Sequence, residues 1–326
     1  MTSSLLRPPG HLSPATALQL SQQAPIIIKN SPGAVTASAL SSLFSAPETP
    51  ELWTIYENLL LSCLRTGDEE SAHLCLGRLV NRFGDDNERV MALIGLMKEA
   101  DAKDDATLEV VLKEYEALLQ ENPTNIPIVK RRVALLRSIG RISDAVTALT
   151  GLLDFSPTDS EAWSELSDIY FSQGLYSQAI FALEEVLVLQ PNAWNIYARI
   201  GELLLMSVKS GSGDQNDSAK QLGEALKRFC RSIELCDDYL RGYYGLKLTT
   251  TQLLNDPPKP SKQAESDGLA PPNLSTLQKL DGLATEKLGE ITRRFTAGEK
   301  GWQGYEEAEI VAAKELLEKS SSTTVR

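Results

Sequence analysis

The sequence predicts an all-α protein, an α-solenoid in which pairs of antiparallel helices repeat along the chain. The first observation is a fixed proline spacing, since Pro123, Pro157 and Pro191 follow one another at intervals of 34 residues. A constant period of this length is typical of a repeated two-helix unit. The second observation is that apolar residues between these prolines recur every three or four positions, the spacing of one helix face. We therefore expect a superhelix of helix pairs.

The segment from Ser160 to Ala193 shows the repeat most clearly. Numbered from Ser160, its positions 4, 7, 11, 15, 17, 20, 24, 27 and 32 hold Trp163, Leu166, Tyr170, Gly174, Tyr176, Ala179, Leu183, Val186 and Pro191. These residue types resemble the tetratricopeptide repeat, in which a helix A packs against a helix B. Ser167 stands at position 8, where glycine or another small residue is usual. The resemblance predicts a tetratricopeptide-repeat α-solenoid.

Three residues of this segment have a direct physical role in the predicted pair. Gly174 ends helix A, because glycine adopts the left-handed backbone of a helix C-terminus at the lowest steric cost. Ala179 is small because helices A and B cross most closely at its position. Pro191 stops helix B, since the residue before a proline is disfavoured in a helix.

Neighbouring segments follow the same template less regularly. We expect helix pairs at 126–159 and 92–125, with Val111 at the crossing position of the second, and another pair from Trp53 to Leu79. Downstream, a pair begins at Trp194 and a further helix A begins near Tyr243. The chain therefore contains about five repeats and a partial sixth.

Departures from the 34-residue interval predict insertions. An extra loop of about five residues is expected near Asp101–Asp105, and a flexible surface loop at Lys209–Asp217 within an insertion of twelve. Beyond the repeats, two helical patterns run from Leu274 to Phe295 and from Gln303 to Lys319. We expect these helices to cap the apolar end of the solenoid.

Proline content also divides the chain into segments. Seven of the sixteen prolines fall in residues 1–50, which we interpret as a Ser/Pro-rich, partly disordered N-terminal arm with a short helix at Val35–Phe44. Residues 51–254 form the predicted repeat solenoid, 255–273 a Pro-rich linker and 274–320 the capping helices. The arm either packs on the edge of the repeats or docks onto another protein, and the sequence leaves both interpretations open.

The charge balance and the cysteine content argue against several classes of function. The chain has 326 residues, with 32 Lys and Arg against 44 Asp and Glu, giving a net charge of −12. Such a surface repels phosphate backbones, so a nucleic-acid partner is not expected. Four cysteines without a Cys-x-x-Cys pair, and only two histidines, disfavour a disulfide framework and a zinc site. We expect no cofactor and no metal.

Neither a membrane span nor a catalytic motif is predicted. No segment approaches the ~20 apolar residues needed to cross a bilayer, and the N-terminus lacks the apolar stretch of a secretory signal. The run Gly211–Asp214 lacks the preceding strand and the following lysine of a phosphate-binding loop. We therefore expect a chain that is not an enzyme and that meets membranes only through a partner or a surface.

One predicted helix has a basic face despite the acidic balance. From Ile126 to Arg141 the chain has five basic residues and no acidic one. In tetratricopeptide repeats helix A lines a concave groove, so this face either contacts a peptide or tail, or is simply solvated. The candidate groove residues of successive repeats are Lys130, Arg131, Arg137, Glu161, Asp168, Phe171, Arg199 and Glu202.

Tetratricopeptide co-chaperones bind acidic C-terminal tails through a carboxylate clamp, which offers a comparison. Lys130 and Arg199 match basic positions of that clamp. Ala134, Glu165 and Asn195 stand where the clamp needs other residues, and Glu165 would repel a ligand carboxylate. The clamp is therefore not expected here.

A narrower resemblance lies in short runs of residues between about 50 and 254. These runs are Leu118–Asn125, Lys130–Arg132, Gly140–Arg141, Glu161–Leu166, Ala182–Val186 and Tyr244–Leu246. Leu52–Trp53 at the start of the first pair and the interrupted repeat after Pro191 occur in the same order. Together they resemble the family of subunit 2 of the endoplasmic reticulum (ER) membrane protein complex.

That resemblance implies a non-catalytic cytosolic scaffold. Members of this family are peripheral subunits on the cytoplasmic side of the ER membrane, and they join membrane-embedded subunits to soluble ones in a hetero-oligomer. The assembled complex inserts newly made membrane proteins, including tail-anchored ones, without energy input. A soluble tetratricopeptide co-chaperone or assembly adaptor that binds peptide tails is the alternative.

Overall fold

The computed structural model describes residues 3–8, 12–29, 49–211, 215–257 and 272–324. Within these residues every regular element is an α-helix, and sixteen helices are formed. The chain divides into two units, Met1–Phe155 and Ser156–Arg326. The predicted all-α fold of tetratricopeptide-type helix pairs is confirmed. The helix predicted at Val35–Phe44 lies outside the described residues.

The first unit contains helices α1 to α9. Their bounds are Ser3–Leu6, Pro14–Ser21, Ala24–Lys29, Pro50–Thr66, Glu69–Phe83, Glu88–Asp101, Asp105–Glu121, Ile126–Ser138 and Ile142–Phe155. From α4 onward the helices form the pairs α4–α5, α6–α7 and α8–α9. The first pair is centred on buried residues such as Leu59, Leu60 and Cys75, as expected when each helix turns one apolar stripe inward.

The second unit contains helices α10 to α16. Their bounds are Ser160–Ser172, Tyr176–Leu189, Trp194–Lys209, Gln215–Leu235, Leu240–Asn255, Leu274–Thr296 and Glu307–Thr324. One hydrophobic core runs through the unit and includes Leu183, Leu203 and Phe229. Leu288 of α15 and Ile310 of α16 belong to the same core. The two C-terminal helices therefore cover apolar surface that the last repeat helix would otherwise expose.

The N-terminal arm is helical over much of its described length, although its proline and serine content predicts little regular structure. Pro14 occupies the first turn of α2, where an N–H has no intrahelical acceptor and its loss costs nothing. Leu5, Leu20 and Ala24 are buried in the core of the first helix pair. The side-chain amide of Asn58, in α4, donates a hydrogen bond of 2.7 Å to the Leu5 carbonyl. The described part of the arm is therefore packed against the first repeat.

The prediction of an extra loop near Asp101–Asp105 is wrong. The residues that exceed the 34-residue interval lie in longer helices. The link between α6 and α7 has three residues, as do the links α8–α9 and α10–α11. Helices α6 and α7 have 14 and 17 residues, whereas α10 and α11 have 13 and 14. The side chain of Asn87 accepts hydrogen bonds from the N–H groups of Arg89 and Val90. This cap starts α6 before the predicted repeat boundary at Ala92.

Most of the insertion predicted after Pro191 is also helical. Helices α12 and α13 have 16 and 21 residues, so they hold ten of the twelve inserted residues and their link holds the other two. The segment Lys209–Asp217, predicted as a loop, includes the last residue of α12 and the first turn of α13. Residues 212–214 of it lie outside the described part. The polar composition of this segment predicts only that it is exposed to solvent. Because helix turns and loops can both be exposed, composition did not distinguish them.

The crossing of α10 and α11 has the close approach that the repeat pattern predicts. Ala179 is completely buried, and the hydroxyl of Ser167 donates a hydrogen bond of 2.8 Å to its carbonyl. Gly174, in the link between the two helices, has a φ of +72°. This left-handed conformation suits glycine and turns the chain from one helix into the next.

A single aromatic ring fixes the distances between three helices of the second unit. Phe229 of α13 is completely buried. A Cβ atom added to Gly201 of α12 would lie 2.8 Å from its ring, and one added to Gly245 of α14 would lie closer still. Both glycines are therefore required by packing, since close-packed cores have no space for an added methyl group.

The helix α15 is joined to α14 by a buried ion pair. The Lys247 side chain is 6% exposed, and its Nζ lies 2.7 Å from Oδ2 of Asp281. The Thr250 hydroxyl donates to Oδ1 of the same carboxylate at 2.9 Å. A buried charge needs such partners, so these contacts specify how α15 docks on α14.

Candidate partner-binding sites

The predicted basic face lies on α8, in the first unit. Lys130 and Arg131 are half-buried, and Arg137 is exposed. Arg131 forms an ion pair with Glu99 of α6, in which its Nη2 donates to Oε2 and its Nε donates to Oε1 at 3.2 Å. The Tyr115 hydroxyl, from α7, also donates to Oε1 of Glu99, at 2.5 Å. Arg131 thus takes part in joining three helices.

The Glu99 carboxylate is central to this cluster. It is only 12% exposed, so desolvation would be costly without the two donors. Burial, followed by the hydrogen bond to Glu99 and its negative charge, raises the pKa of Tyr115 far above its usual range. The phenol therefore remains protonated and keeps donating. The principal role of Arg131 in this unit is structural.

Four of the predicted groove residues come together in the second unit. The guanidinium carbon of Arg199, in α12, lies 4.7 Å from the ring centre of Phe171, in α10. Its Nη1 donates to Oε2 of Glu202 at 3.0 Å, and its Nη2 lies 3.6 Å from Oδ1 of Asp168. We call these four residues the Arg199 cluster. The cation–π contact with Phe171 and the ion pair with Asp168 join helix A of one repeat to helix A of the next, whereas the ion pair with Glu202 lies within α12.

Asp168 is the most exposed charged group of the Arg199 cluster, whereas Glu202 is 26% exposed. The Asp168 side chain is 59% exposed, whereas that of Arg199 is 30% exposed. Glu161 is also exposed and lies in the first turn of α10, where a negative charge interacts favourably with the helix dipole. A partner that approaches this face meets carboxylates beside a half-buried aromatic ring.

The geometry of Arg199 differs from that of a carboxylate clamp. A clamp residue must present its positive charge to the ligand, whereas Arg199 already contacts two carboxylates and a ring. Glu165 lies on α10 between Glu161 and Asp168 and adds another negative charge to that helix. Like charges of this kind oppose an acidic tail. The cluster is better suited to a partner with polar or basic groups next to an apolar side chain.

A cavity of about 570 Å³, which the sequence did not predict, lies between the first helix pair and α6. Its wall includes Trp53 of α4 and Phe83 of α5, whose rings meet edge-to-face with centres 5.3 Å apart. At its rim, Nη2 of Arg89 lies 2.6 Å from Oε2 of Glu57. The guanidinium of Arg82 lies over the Phe83 ring. The pattern assigned Trp53 to helix packing alone. Phe83 is the last residue of α5 and follows two polar residues. An aromatic residue in this position was the one feature of the sequence that pointed to an apolar wall here.

In the part of the chain that the structure describes, no group of three or more His, Cys, Asp and Glu side chains is placed to hold a metal ion. No helix within the described ranges is both long and apolar enough to cross a membrane.

Comparison with known proteins relates the chain to one family. The family model described as the EMC2 TPR-like repeat domain matches residues 74–210. The TPR repeat protein oca3 of Schizosaccharomyces pombe is 36% identical over 204 residues, which cover 63% of this chain and 68% of that protein. ER membrane protein complex subunit 2-A of Xenopus laevis is 29% identical over 217 residues, or 67% and 68% of the two chains. The chain belongs to the ER membrane protein complex subunit 2 family.

The similarity to the subunit 2 family covers most of the repeats. ER membrane protein complex subunit 2 of Saccharomyces cerevisiae is 22% identical over 249 residues, which cover 74% of this chain and 80% of that protein. The 137 residues matched by the subunit 2 family model contain all eight candidate groove residues. They stop at residue 210 and so exclude α13 to α16.

Proposed function

We propose that the chain is a non-catalytic scaffold subunit of the ER membrane protein complex, bound peripherally on the cytoplasmic side of the ER membrane. In this role it joins membrane-embedded subunits to soluble subunits in a hetero-oligomer. The assembled complex inserts newly made membrane proteins, including tail-anchored ones, without energy input. The observation that carries this proposal is the similarity to relatives named subunit 2 of that complex.

The architecture supports a scaffold role. Repeated helix pairs present long surfaces on which several partners can bind at once, and each repeat adds its own side chains to such a surface. The described helices carry exposed apolar residues such as Phe181 and Val188 of α11. Exposed apolar groups on one helix face are typical of surfaces that partners cover.

We further propose that the helix A faces contact partner segments. In the first unit this surface comprises Lys130 and Arg137, with Arg131 beside them in its structural ion pair with Glu99. In the second unit it comprises Glu161 together with the Arg199 cluster. The basic face suits an acidic segment and the Arg199 cluster suits a polar or basic one. The exposed carboxylates of Asp168 and Glu161 support the second assignment, because they would attract the positive charge of a basic segment.

Fractionation of cells that express the tagged chain tests the scaffold role. Membranes are separated from cytosol, the chain is purified from each fraction in a gentle detergent, and its partners are identified by mass spectrometry. We expect recovery from membranes, release by alkaline carbonate, and several multi-spanning proteins in fixed ratio. Recovery only from cytosol, with chaperones or mixed clients, would instead favour the co-chaperone alternative.

A pair of matched variants tests the Arg199 cluster. Arg199→Gln removes the cation–π contact with Phe171 and the ion pairs that orient Asp168 and Glu202. Because the partner then meets side chains that are no longer held in place, we expect at least a fivefold loss of co-purified partner. Arg231→Gln in α13 is the control, because Arg231 is an exposed arginine whose ion pair with Glu234 lies on its own helix. Circular dichroism and the melting temperature show whether either variant is misfolded. Equal partner recovery by both folded variants contradicts the assignment.

A further inference from the structure

A cavity of about 320 Å³ lies in the second unit, outside the predicted groove residues. Its walls come from the α13–α14 link, from the start of α14, from the α15–α16 link and from Trp194 at the start of α12. We call it the Trp194 pocket. Its size is at the lower end of the range for small-ligand sites, about 300–1,000 Å³, so it can hold one long side chain.

The walls of the Trp194 pocket are held in place by one contact between its two links and one contact between helices α14 and α16. The Tyr305 hydroxyl donates a hydrogen bond of 2.8 Å to the Asp238 carbonyl. The Nε of Arg241 donates to Oε1 of Glu309 at 2.5 Å. Behind the wall, the Trp302 ring stacks on Tyr305 with centres 6.5 Å apart. A pocket held in this way loses little conformational entropy when a ligand enters.

Three aromatic side chains line the Trp194 pocket. They are Trp194, Tyr239 and Tyr305. The Trp194 side chain is large and apolar, yet the residue is 43% exposed. Tryptophan rings attract cations most strongly among the aromatic side chains, because the ring face carries partial negative charge. Aromatic walls around an open space therefore favour a positively charged guest.

The charged groups of the Trp194 pocket favour the same guest. Asp238 and Glu309 supply two negative charges, and Arg241, which is paired with Glu309, supplies one positive charge. Near the Asp238 carboxylate the Cys236 thiol donates to Oδ1 at 3.4 Å. Burial, and then the charge of Asp238, raise the pKa of Tyr305 to about 12. With two negative groups and one positive group, the pocket has a net charge of −1. It therefore disfavours an anion, and a cation would balance its charge.

We propose that the Trp194 pocket binds an arginine side chain of a partner protein. The flat guanidinium stacks on the Trp194 indole, and its forked N–H groups donate to the Asp238 carboxylate. An ammonium group is a compact charge that fits this combination of a flat ring and a carboxylate less well. This interaction is separate from the groove residues of the proposed function and adds a second contact point near the C-terminal helices.

Titration of the full chain with a minimal probe tests the proposal. Tryptophan indoles are labelled with ¹⁵N, and the signal that disappears in Trp194→Phe identifies Trp194 among the four tryptophans. Nα-acetyl-arginine amide is the probe, and Nα-acetyl-citrulline amide is its neutral counterpart of nearly the same shape. We expect saturable shifts of the Trp194 signal with arginine in the millimolar range and no saturation with citrulline.

Two further variants separate the charge from the fold. Asp238→Asn keeps the shape of the side chain, and we expect it to weaken arginine binding at least fivefold. Asp256→Asn, at the exposed C-terminal cap of α14, is the matched control and should bind as the parent chain does. The proposal is overturned by an absent Trp194 shift, by equal responses to arginine and citrulline, or by unchanged binding in folded Asp238→Asn. None of these results would alter recovery of the chain from membranes, so the proposed function is tested separately.

Discussion

The hydroxyl of Ser167 donates to the carbonyl of Ala179 across the closest approach of α10 and α11. Both residues are buried, so the hydrogen bond is made where water cannot replace it. Position 8 of this repeat therefore holds a residue that is small enough for the crossing and also bonds to the partner helix. Glycine at this position would allow the same approach without the bond.

Enlarging Ala179 tests this crossing directly. Ala179→Leu adds three carbons where no space exists, and we expect a loss of roughly 1–3 kcal/mol in the free energy of unfolding. Urea unfolding followed by circular dichroism measures the change. Ala308→Leu, at an exposed position of α16, should change stability little. An unchanged urea midpoint in Ala179→Leu would show that the repeat register is wrong.

The packing of Phe229 predicts a coupled pair of substitutions. Gly245→Ala places a methyl group against the ring, and we expect it to destabilise the chain by about 1–3 kcal/mol. Trimming the ring with Phe229→Leu should reduce the additional cost of Gly245→Ala, which a double-mutant cycle of urea unfolding measures. Gly282→Ala in α15 is the control, because no atom lies within 4 Å of the added carbon. Additive effects in the cycle contradict the contact.

Removing one member of the Lys247–Asp281 pair should be more damaging than removing both. Asp281→Ala leaves the Lys247 ammonium buried without its carboxylate, and we expect a loss of about 3 kcal/mol. Lys247→Met combined with Asp281→Leu should recover most of that loss. Glu286→Ala, at an exposed position of the same helix, is the control. The measurement is urea unfolding, and a double variant as unstable as Asp281→Ala would refute this account.

Stability should fall at alkaline pH because two thiols are buried. Burial, and then the charge of Asp68, raise the pKa of Cys63 from its ordinary value of 9.0 to about 12. Burial likewise raises the pKa of Cys75 to about 12. Above pH 9 the unfolded thiols lose protons that the folded thiols keep, so unfolding is favoured as the pH rises towards 12. Each thiol should lower the free energy of unfolding by about 1 kcal/mol at pH 10.

Urea unfolding at pH 8 and pH 10 measures this dependence. Tyr305, whose pKa is also raised to about 12, contributes in the same direction, so the comparison is made between variants. In Cys63→Ala combined with Cys75→Ala, the loss of stability between the two pH values should be smaller than in the parent chain. An equal loss in both chains would show that the thiols do not titrate as stated.

The helix pairs could be predicted from the sequence because their determinants are local. Gly174, Ala179 and Pro191 lie within one period, and each acts on the helix that contains or adjoins it. The insertions could not be placed, since an interval counts residues without showing whether a helix or a loop holds them. The side chain of Asn87 caps α6, so this helix begins earlier than the repeat boundary predicts. The spacing of the prolines carries no information about such a cap.

The candidate sites depended on pairings that are distant in sequence. Arg131 belongs to a basic run, but its partner Glu99 lies 32 residues earlier. The two links of the Trp194 pocket are joined between Asp238 and Tyr305, 67 residues apart. Helical periodicity predicts which face of a helix carries a side chain. It does not predict which other helix packs against that face, because tertiary packing decides this. Arg199 and Phe171 were predicted on the same surface because the repeat itself sets their separation.

The contact of Phe229 with Gly201 and Gly245 also bears on how related sequences can diverge. A substitution at either glycine is blocked while the large ring is present, and a smaller residue at 229 leaves a void while both glycines remain. Each single step therefore passes through a less stable chain, although a combined change can fill the same volume. Positions 201, 229 and 245 should therefore vary together among relatives, because a change at one of them is compensated by changes at the other two.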